Sequence, residues 1–158
     1  MLKRVFFAIA GIESNRTPTE LSEYGIRETI RIGMDVRNIY RSSVIFTDGE
    51  PTAIQSSHLM AGVMGVQKIF HKPELTQHLG DMKGNCGKLR ESFRTPEGAL
   101  AFLRSRTHRI DEEDETILFM TNCCWGLSFG GTWPRSSVKL FDLEQQEFVL
   151  SIYHGDRI

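Results

Sequence analysis

Residues 4–14 read RVFFAIAGIES. The apolar, β-prone run from Arg4 to Ala10 stops at Gly11 and gives way to the polar Glu13-Ser14-Asn15. A run of that length bounded by glycine predicts a buried strand with a turn at its carboxyl end. In α/β folds such a turn is where ligands and catalytic groups sit. Yet Ala10, Gly11 and Ile12 carry no group that can do chemistry.

Working outward, Thr17-Pro18 opens a helical stretch that ends near Tyr40. Ile26, Ile30 and Met34 recur every four residues, and Ile32, Val36 and Ile39 widen that apolar face. Arg27, Glu28, Arg31, Asp35 and Arg37 make the polar side. Ser43–Thr47 is a second strand. Asp48-Gly49-Glu50-Pro51 then starts a helix to about Met64, capped by Asp48 or Glu50 and burying Ile54, Leu59, Met60 and Val63. Val66–Phe70 is a third strand, and 75–94 reads as loop and short helix. Thr95-Pro96-Glu97 is a helix start, with Leu100, Phe102 and Leu103 on its apolar side. The acidic run Asp111–Glu115 reads as a solvated loop before the buried strand Thr116–Met120. A turn and short helix follow over 122–131. Ser137–Leu143 and Glu147–Tyr153, joined by Glu144-Gln145-Gln146, form a closing hairpin.

This β-α-β-α-β-α-β-α-β-β order, without repeat or linker, predicts one α/β domain over 1–158. Its architecture is a three-layer α/β/α sandwich around a mostly parallel sheet with a C-terminal hairpin. The site is then expected beyond the strand ends, from Ala10–Asn15, Thr47–Thr52 and Thr121–Cys124.

Composition narrows the function classes. The 158 residues are 40% hydrophobic and 25% charged, ordinary for a globular chain. Lys+Arg 19 against Asp+Glu 20 gives a net charge of -1, so no bulk electrostatic case exists for nucleic acid or an anionic membrane. No apolar run approaches a membrane span. The basic MLKR and apolar VFFAIAG sit at the lower limit of a signal segment and read better as the first strand. Cys86, Cys123 and Cys124 are odd in number and two are adjacent, which favours free thiols and a cytoplasmic protein. Nothing distinguishes a monomer from a homo-oligomer. Trp125, Phe129 and Trp133 are either an interface or, more simply, cover for the core.

Motifs with known chemistry are missing. There is no GxxxxGK[ST] phosphate loop, no Gly-x-Ser-x-Gly elbow and no dinucleotide fingerprint at Gly126, Gly130 and Gly131. Cys123 and Cys124 follow a strong strand, but a cysteine phosphatase would need an arginine six positions on, where Phe129 and Gly130 stand. The five histidines, His58, His71, His78, His108 and His154, form no HxxxH or HExxH pair, so no metal site or cofactor is expected.

The blocks, in order, resemble the histidine phosphatase superfamily with its phosphoglycerate-mutase-like fold. That family ends its first strand in Arg-His-Gly-Glu, where this chain has Ala10-Gly11-Ile12-Glu13-Ser14. Its Leu-Thr-x-x-Gly-x-x-Gln-Ala helix start is matched by Leu21–Thr29. Its Ser-Ser-Pro-x-x-Arg-Ala-x-Gln-Thr is similar to Thr47–Ser56, which keeps Ala53 and Gln55 but has Thr52 at the arginine. A Leu-x-Glu block looks like Leu75-Thr76-Gln77. The family's Ser-His-Gly-Gly is similar to Thr121-Asn122-Cys123-Cys124, and its Ser-Val-x-x-Leu to the closing hairpin at Ser137-Val138.

The resemblance implies a site in which one histidine attacks phosphorus, a second histidine and two arginines hold the phosphoryl oxygens, and an acid protonates the leaving group. Here those places read Ala10, Gly11, Thr52, Gln77 and Asn122, which supply neither nucleophile nor charge. Glu13 and Ser14 remain beside them. The expectation is a catalytically inactive member, a pseudophosphatase that binds a protein partner or a small ligand. The alternative is a phosphatase or other hydrolase with a rewired site, using Cys123 or Cys124 as nucleophile or Glu13 or Asp48 as general base. That alternative needs a cation in reach, and Arg16 and Arg135 are the candidates.

Overall fold

The computed structural model describes residues 1–17, 19–72, 94–106, 110, 112–122, 129 and 133–153. Its elements are β1 (Arg4–Ile9), α1 (Glu23–Ile39), β2 (Val44–Asp48), α2 (Pro51–Met64), β3 (Lys68–Lys72), α3 (Pro96–Arg106), β4 (Thr116–Thr121), β5 (Ser137–Asp142) and β6 (Glu147–Tyr153). The six strands form one sheet in the order β3-β2-β4-β1-β5-β6. β3, β2, β4 and β1 run parallel, while β5 is antiparallel to both β1 and β6. This is the three-layer α/β arrangement the sequence predicts. The stretch predicted as helix over 122–131 lies largely outside the described residues, as do Gln77, Cys86, Cys123, Cys124 and Trp125.

The centre of the sheet is buried on both faces, which is why β1, β2 and β4 read as unbroken apolar runs. Val5, Phe7, Ile9, Phe46 and Phe119 meet Ala99, Leu100 and Leu103 of α3 on one face. Trp133 is buried in that cluster and Phe129 packs against it, so both cover the core. Phe6, Ala8, Ala10, Ile45 and Leu118 meet Ile32 and Val36 of α1 and Met60 and Met64 of α2 on the other.

The faces of α1 and α2 differ from the apolar periodicity. The inward side of α1 is Gly25, Glu28, Thr29, Ile32, Gly33 and Val36, with Met34 and Ile39 exposed. The inward side of α2 is Thr52, Ala53, Ser56, Ser57, Met60, Ala61 and Met64, with Ile54, Leu59 and Val63 only half-buried. The two helices come close at Gly33 of α1. A Cβ at Gly33 would lie 3.4 Å from Val63 Cβ and 3.5 Å from Met60 Cα. Close packing of this kind is set by side-chain size, which an apolar count does not register. The acidic run is corrected as well: Asp114 is buried and accepts a 2.6 Å hydrogen bond from Ser43 Oγ, although Glu112, Glu113 and Glu115 are exposed.

Gly25 is the tightest contact. A Cβ there would sit 2.4 Å from the Ile12 carbonyl oxygen, so the loop after β1 lies directly on the first turn of α1. Gly62, by contrast, has nothing within 4 Å of its Cβ position. Gly25→Ala is expected to cost about 1–3 kcal/mol or more by overpacking. Gly62→Ala is expected to gain about 0.5–1 kcal/mol by restricting the unfolded chain. Urea unfolding of the two variants checks this, and equal effects would refute the contact.

Candidate functional site

The carboxyl ends of the parallel strands β1, β2 and β4 converge, and the loops leaving them carry Gly11–Ser14, Asp48–Thr52 and Asn122. β5 joins them because it runs antiparallel to β1. Its first residues therefore lie beside the last residues of β1, and Ser136 N donates to Ala10 O at 3.1 Å. Ser136 takes φ 55, a left-handed conformation that costs a non-glycine residue of order 1 kcal/mol. That turn sends the side chain of Arg135 into the space at the strand ends.

Arg135 is the centre of the site. Its Nη1 donates to Gly11 O at 3.0 Å and to Asn122 Oδ1 at 3.1 Å. Its Nη2 lies 2.7 Å from Glu13 Oε2, an ion pair with the arginine 17% and the glutamate 36% exposed. Thr52 Oγ1, from the first turn of α2, donates to the same Asn122 Oδ1 at 3.1 Å. Two donors on one atom fix the amide orientation, since the flipped amide would turn its NH2 toward a guanidinium. Asn122 N in turn donates to Asp48 Oδ2 at 3.2 Å, and Glu50 N donates to Asp48 Oδ1 at 3.0 Å. One network thus links four loops.

Asp48 has no exposed surface. Burial pushes its carboxyl up to about 7 from the usual 3.8, against the two backbone N–H bonds that favour the charged form. A group sealed from solvent with both oxygens engaged holds the loops at Glu50 and Asn122 in place; it does not meet a substrate. Glu50 is the N-cap residue of α2, without a side-chain bond to the helix. So the predicted cap acts one step earlier, through Asp48 holding Glu50 N.

The predicted positions divide clearly. Glu13, Gly11, Thr52 and Asn122 meet in the network. Ala10 does not line an opening: it is fully buried in the core under α1 and α2. Gly11 is buried too, and a Cβ there would lie 2.8 Å from Thr29 Oγ1 and 3.0 Å from Gly25 O. Ser14 turns back on its own loop, accepting from Arg16 N at 3.2 Å and Thr17 N at 3.4 Å. Of the two candidate cations, Arg135 arrives and Arg16 is exposed. Gln77, Cys123 and Cys124 lie outside the described residues.

Two contacts were not anticipated. Gln55 Oε1 accepts from Leu21 N at 2.8 Å, and Ser56 Oγ accepts from Gly11 N at 3.1 Å. Both tie α2 to the loop after β1. They give a structural reason for a glutamine in the Ala53-x-Gln55 block. A separate hollow of about 350 Å³ sits at the opposite, amino ends of β2 and β3, lined by residues including Arg41, Ser42 and Lys68. Among the described residues, no three His, Cys, Asp or Glu side chains gather to hold a metal ion. No described helix is long and apolar enough to cross a membrane.

Comparison with solved structures places the whole architecture. The chain matches an Agrobacterium tumefaciens protein assigned as the phosphohistidine phosphatase SixA, with TM-score 0.66 and 13% identity, over 98% of this chain and 99% of that one. A tungstate complex of the protein histidine phosphatase SixA matches with TM-score 0.64 and 13% identity, over 94% and 96%. YhfR from Bacillus stearothermophilus matches with TM-score 0.57 and 17% identity, over 93% and 94%. The fold is therefore that of the histidine phosphatases, the phosphoglycerate-mutase-like fold. No protein-family model and no curated protein matches the sequence.

The raised pKa of Asp48 fixes a pH dependence. Its folded state holds the proton more tightly than the unfolded chain, so its contribution to stability is complete below pH 3.8 and is lost as the pH rises through about 7. Asp48→Asn is expected to remove up to ~1.4 kcal/mol per pH unit of slope between those values. Urea unfolding of both proteins across that range measures it, and parallel stability curves would contradict the assignment.

Proposed function

We propose that this chain is a pseudophosphatase, a histidine-phosphatase fold that acts by binding a protein partner or a small neutral ligand and performs no phosphoryl transfer. The observation that carries this reading is the closed network of Arg135, Glu13, Asn122, Thr52 and the Gly11 carbonyl at the strand ends. In SixA the fold has been solved with tungstate, a tetrahedral oxyanion. Such an anion is held by guanidinium groups aimed at its oxygens.

Here the guanidinium at the site already faces a carboxylate, an amide oxygen and a backbone carbonyl. For Arg135 to hold a phosphate, it would have to leave these partners. The incoming dianion would then face Glu13 across a few ångströms, and like charges in a partly buried site repel strongly. Ala10 and Gly11 supply no nucleophilic nitrogen, and Thr52 and Asn122 no positive charge. What the site offers outward is the edge of the Glu13 carboxylate and the exposed Ile12 side chain. Those groups suit hydrogen-bonding and apolar contact with a neutral or partner surface.

The test is a turnover assay with p-nitrophenyl phosphate and a phosphohistidine protein, with thermal unfolding in phosphate and in tungstate. The expected result is no turnover above buffer and no shift of the wild-type midpoint. Glu13→Gln, which frees the guanidinium, is expected to gain a measurable tungstate shift. Robust turnover that is abolished by Cys124→Ala or Glu13→Gln would establish the rewired enzyme instead.

A further inference from the structure

β3 is an edge strand, and its residues alternate between the two faces of the sheet. Phe70 packs on the α3 side, in ring contact with Phe46. Lys68 and Lys72 share that parity. Ile69 packs on the opposite side, against the cluster beneath α1 and α2. His71 has the parity of Ile69 and therefore faces α2, where it meets His58 from the middle of that helix. The two Nε2 atoms are 3.3 Å apart, the ring centroids 5.4 Å, and the ring planes cross at 88°. Both residues are exposed.

One Nε2 can donate to the other, a hydrogen bond at the long end of the range. The separation is longer than the ~2.9–3.0 Å usual for a donor nitrogen. Two exposed rings also gain little from each other, since water satisfies either nitrogen equally well while pairing costs rotamer freedom. A shared cation accounts for the same spacing and gives both rings a partner. Metal–nitrogen bonds of ~2.0–2.1 Å at a tetrahedral angle place two ligand nitrogens roughly 3.4 Å apart. Each ring turns its Nε2 toward the other, so with both protons on Nδ1 the two Nε2 lone pairs are available to one ion between α2 and β3. The backbone that carries them is fixed: His71 sits in register opposite Thr47, and His58 is flanked by the buried Ser57 and Met60. The lysines nearest in sequence lie on the other face of the strand.

We propose that His58 and His71 form a two-imidazole site for a late first-row divalent ion, Zn²⁺, Ni²⁺ or Cu²⁺, separate from the Arg135 network. Imidazole nitrogen suits these metals. Among the described residues no third His, Cys, Asp or Glu joins the pair, so water completes the coordination and the site is open, unlike the closed shell of a structural zinc. Its effect on the fold is to clamp the edge strand β3 to α2.

The test uses the full chain stripped with chelator, titrated by calorimetry with ZnCl₂ and NiCl₂, together with ¹⁵N imidazole spectra. One ion per chain is expected, with perturbation of the Nε2 signals of His58 and His71 and a rise in thermal midpoint. Outer-shell partners alone are worth ~10–100-fold in metal affinity, so His58→Ala and His71→Ala are each expected to cost at least ~10-fold. The double variant is expected to bind little worse than either, because the two rings act as one unit. Binding must also survive replacement of Cys86, Cys123 and Cys124 by serine. Absence of binding, or binding that perturbs neither ring, overturns the proposal. So does binding of undiminished affinity in the double variant, or binding that vanishes with the cysteines. If an alanine variant fails to fold, the imidazole spectra of the unaltered chain decide.

Discussion

The contact of the Gly11-Ile12 loop with the first turn of α1 sets the geometry of the site. The Ile12 carbonyl oxygen occupies the place a Cβ of residue 25 would need, at 2.4 Å, and accepts from both Ser22 N and Ser22 Oγ. Ser22 is also the N-cap of α1, its Oγ accepting from Gly25 N. One residue thus ends the loop, starts the helix and receives the strand. The neighbouring groups are allotted with equal economy, Gly11 N to Ser56 Oγ and Gly11 O to Arg135. Buried backbone groups must find partners, and here each partner comes from a different element. The loop after β1 is consequently held from α1, α2 and the start of β5 at once.

That arrangement decides what charge the site can hold. A guanidinium at the carboxyl ends of parallel strands is a suitable start for an anion site. The loop that brings Gly11 O to Arg135 also brings Glu13, two residues on, to its other side. The ion pair is partly shielded from water, so screening does little to weaken it. The donors of Arg135 thus meet the Gly11 carbonyl, the Asn122 amide oxygen and the Glu13 carboxylate.

Much of this was legible in the chain. Central strands advertise themselves because both faces are buried, as VFFAI, VIF and TILFM show. Their order was enough to bring the loops carrying Gly11, Thr52 and Asn122 to one end of the sheet. The faces of α1 and α2 were not legible in the same way. Apolar spacing points to Ile26, Ile30 and Met34, but the buried sides carry the small residues Gly25, Gly33, Ala53, Ser56 and Ser57, and Gly33 is where α1 comes close to Met60 and Val63 of α2. The acidic run makes Asp114 read as solvated, but in the fold it is buried and accepts from Ser43, 71 residues away. Arg135 was named only as one of two cations in range. Its place follows from antiparallel pairing of β5 with β1 and from the left-handed turn at Ser136, neither of which the local sequence states.

Asp48 completes the electrostatic argument. The network contains one guanidinium and two carboxylates. With Asp48 protonated, Arg135 and Glu13 leave the cluster neutral; with Asp48 ionised, it carries a net negative charge. Burial lifts this carboxyl to about 7, so among the described residues the cluster is neutral or negative, without net positive charge. Phosphoryl transfer needs the reverse, fixed positive charge present before the substrate arrives. Ala10, Gly11, Thr52 and Asn122 carry neither a nucleophilic nitrogen nor a positive charge, and the guanidinium of Arg135 is paired with Glu13. The recognition role proposed above requires neither a nucleophile nor a field of that kind.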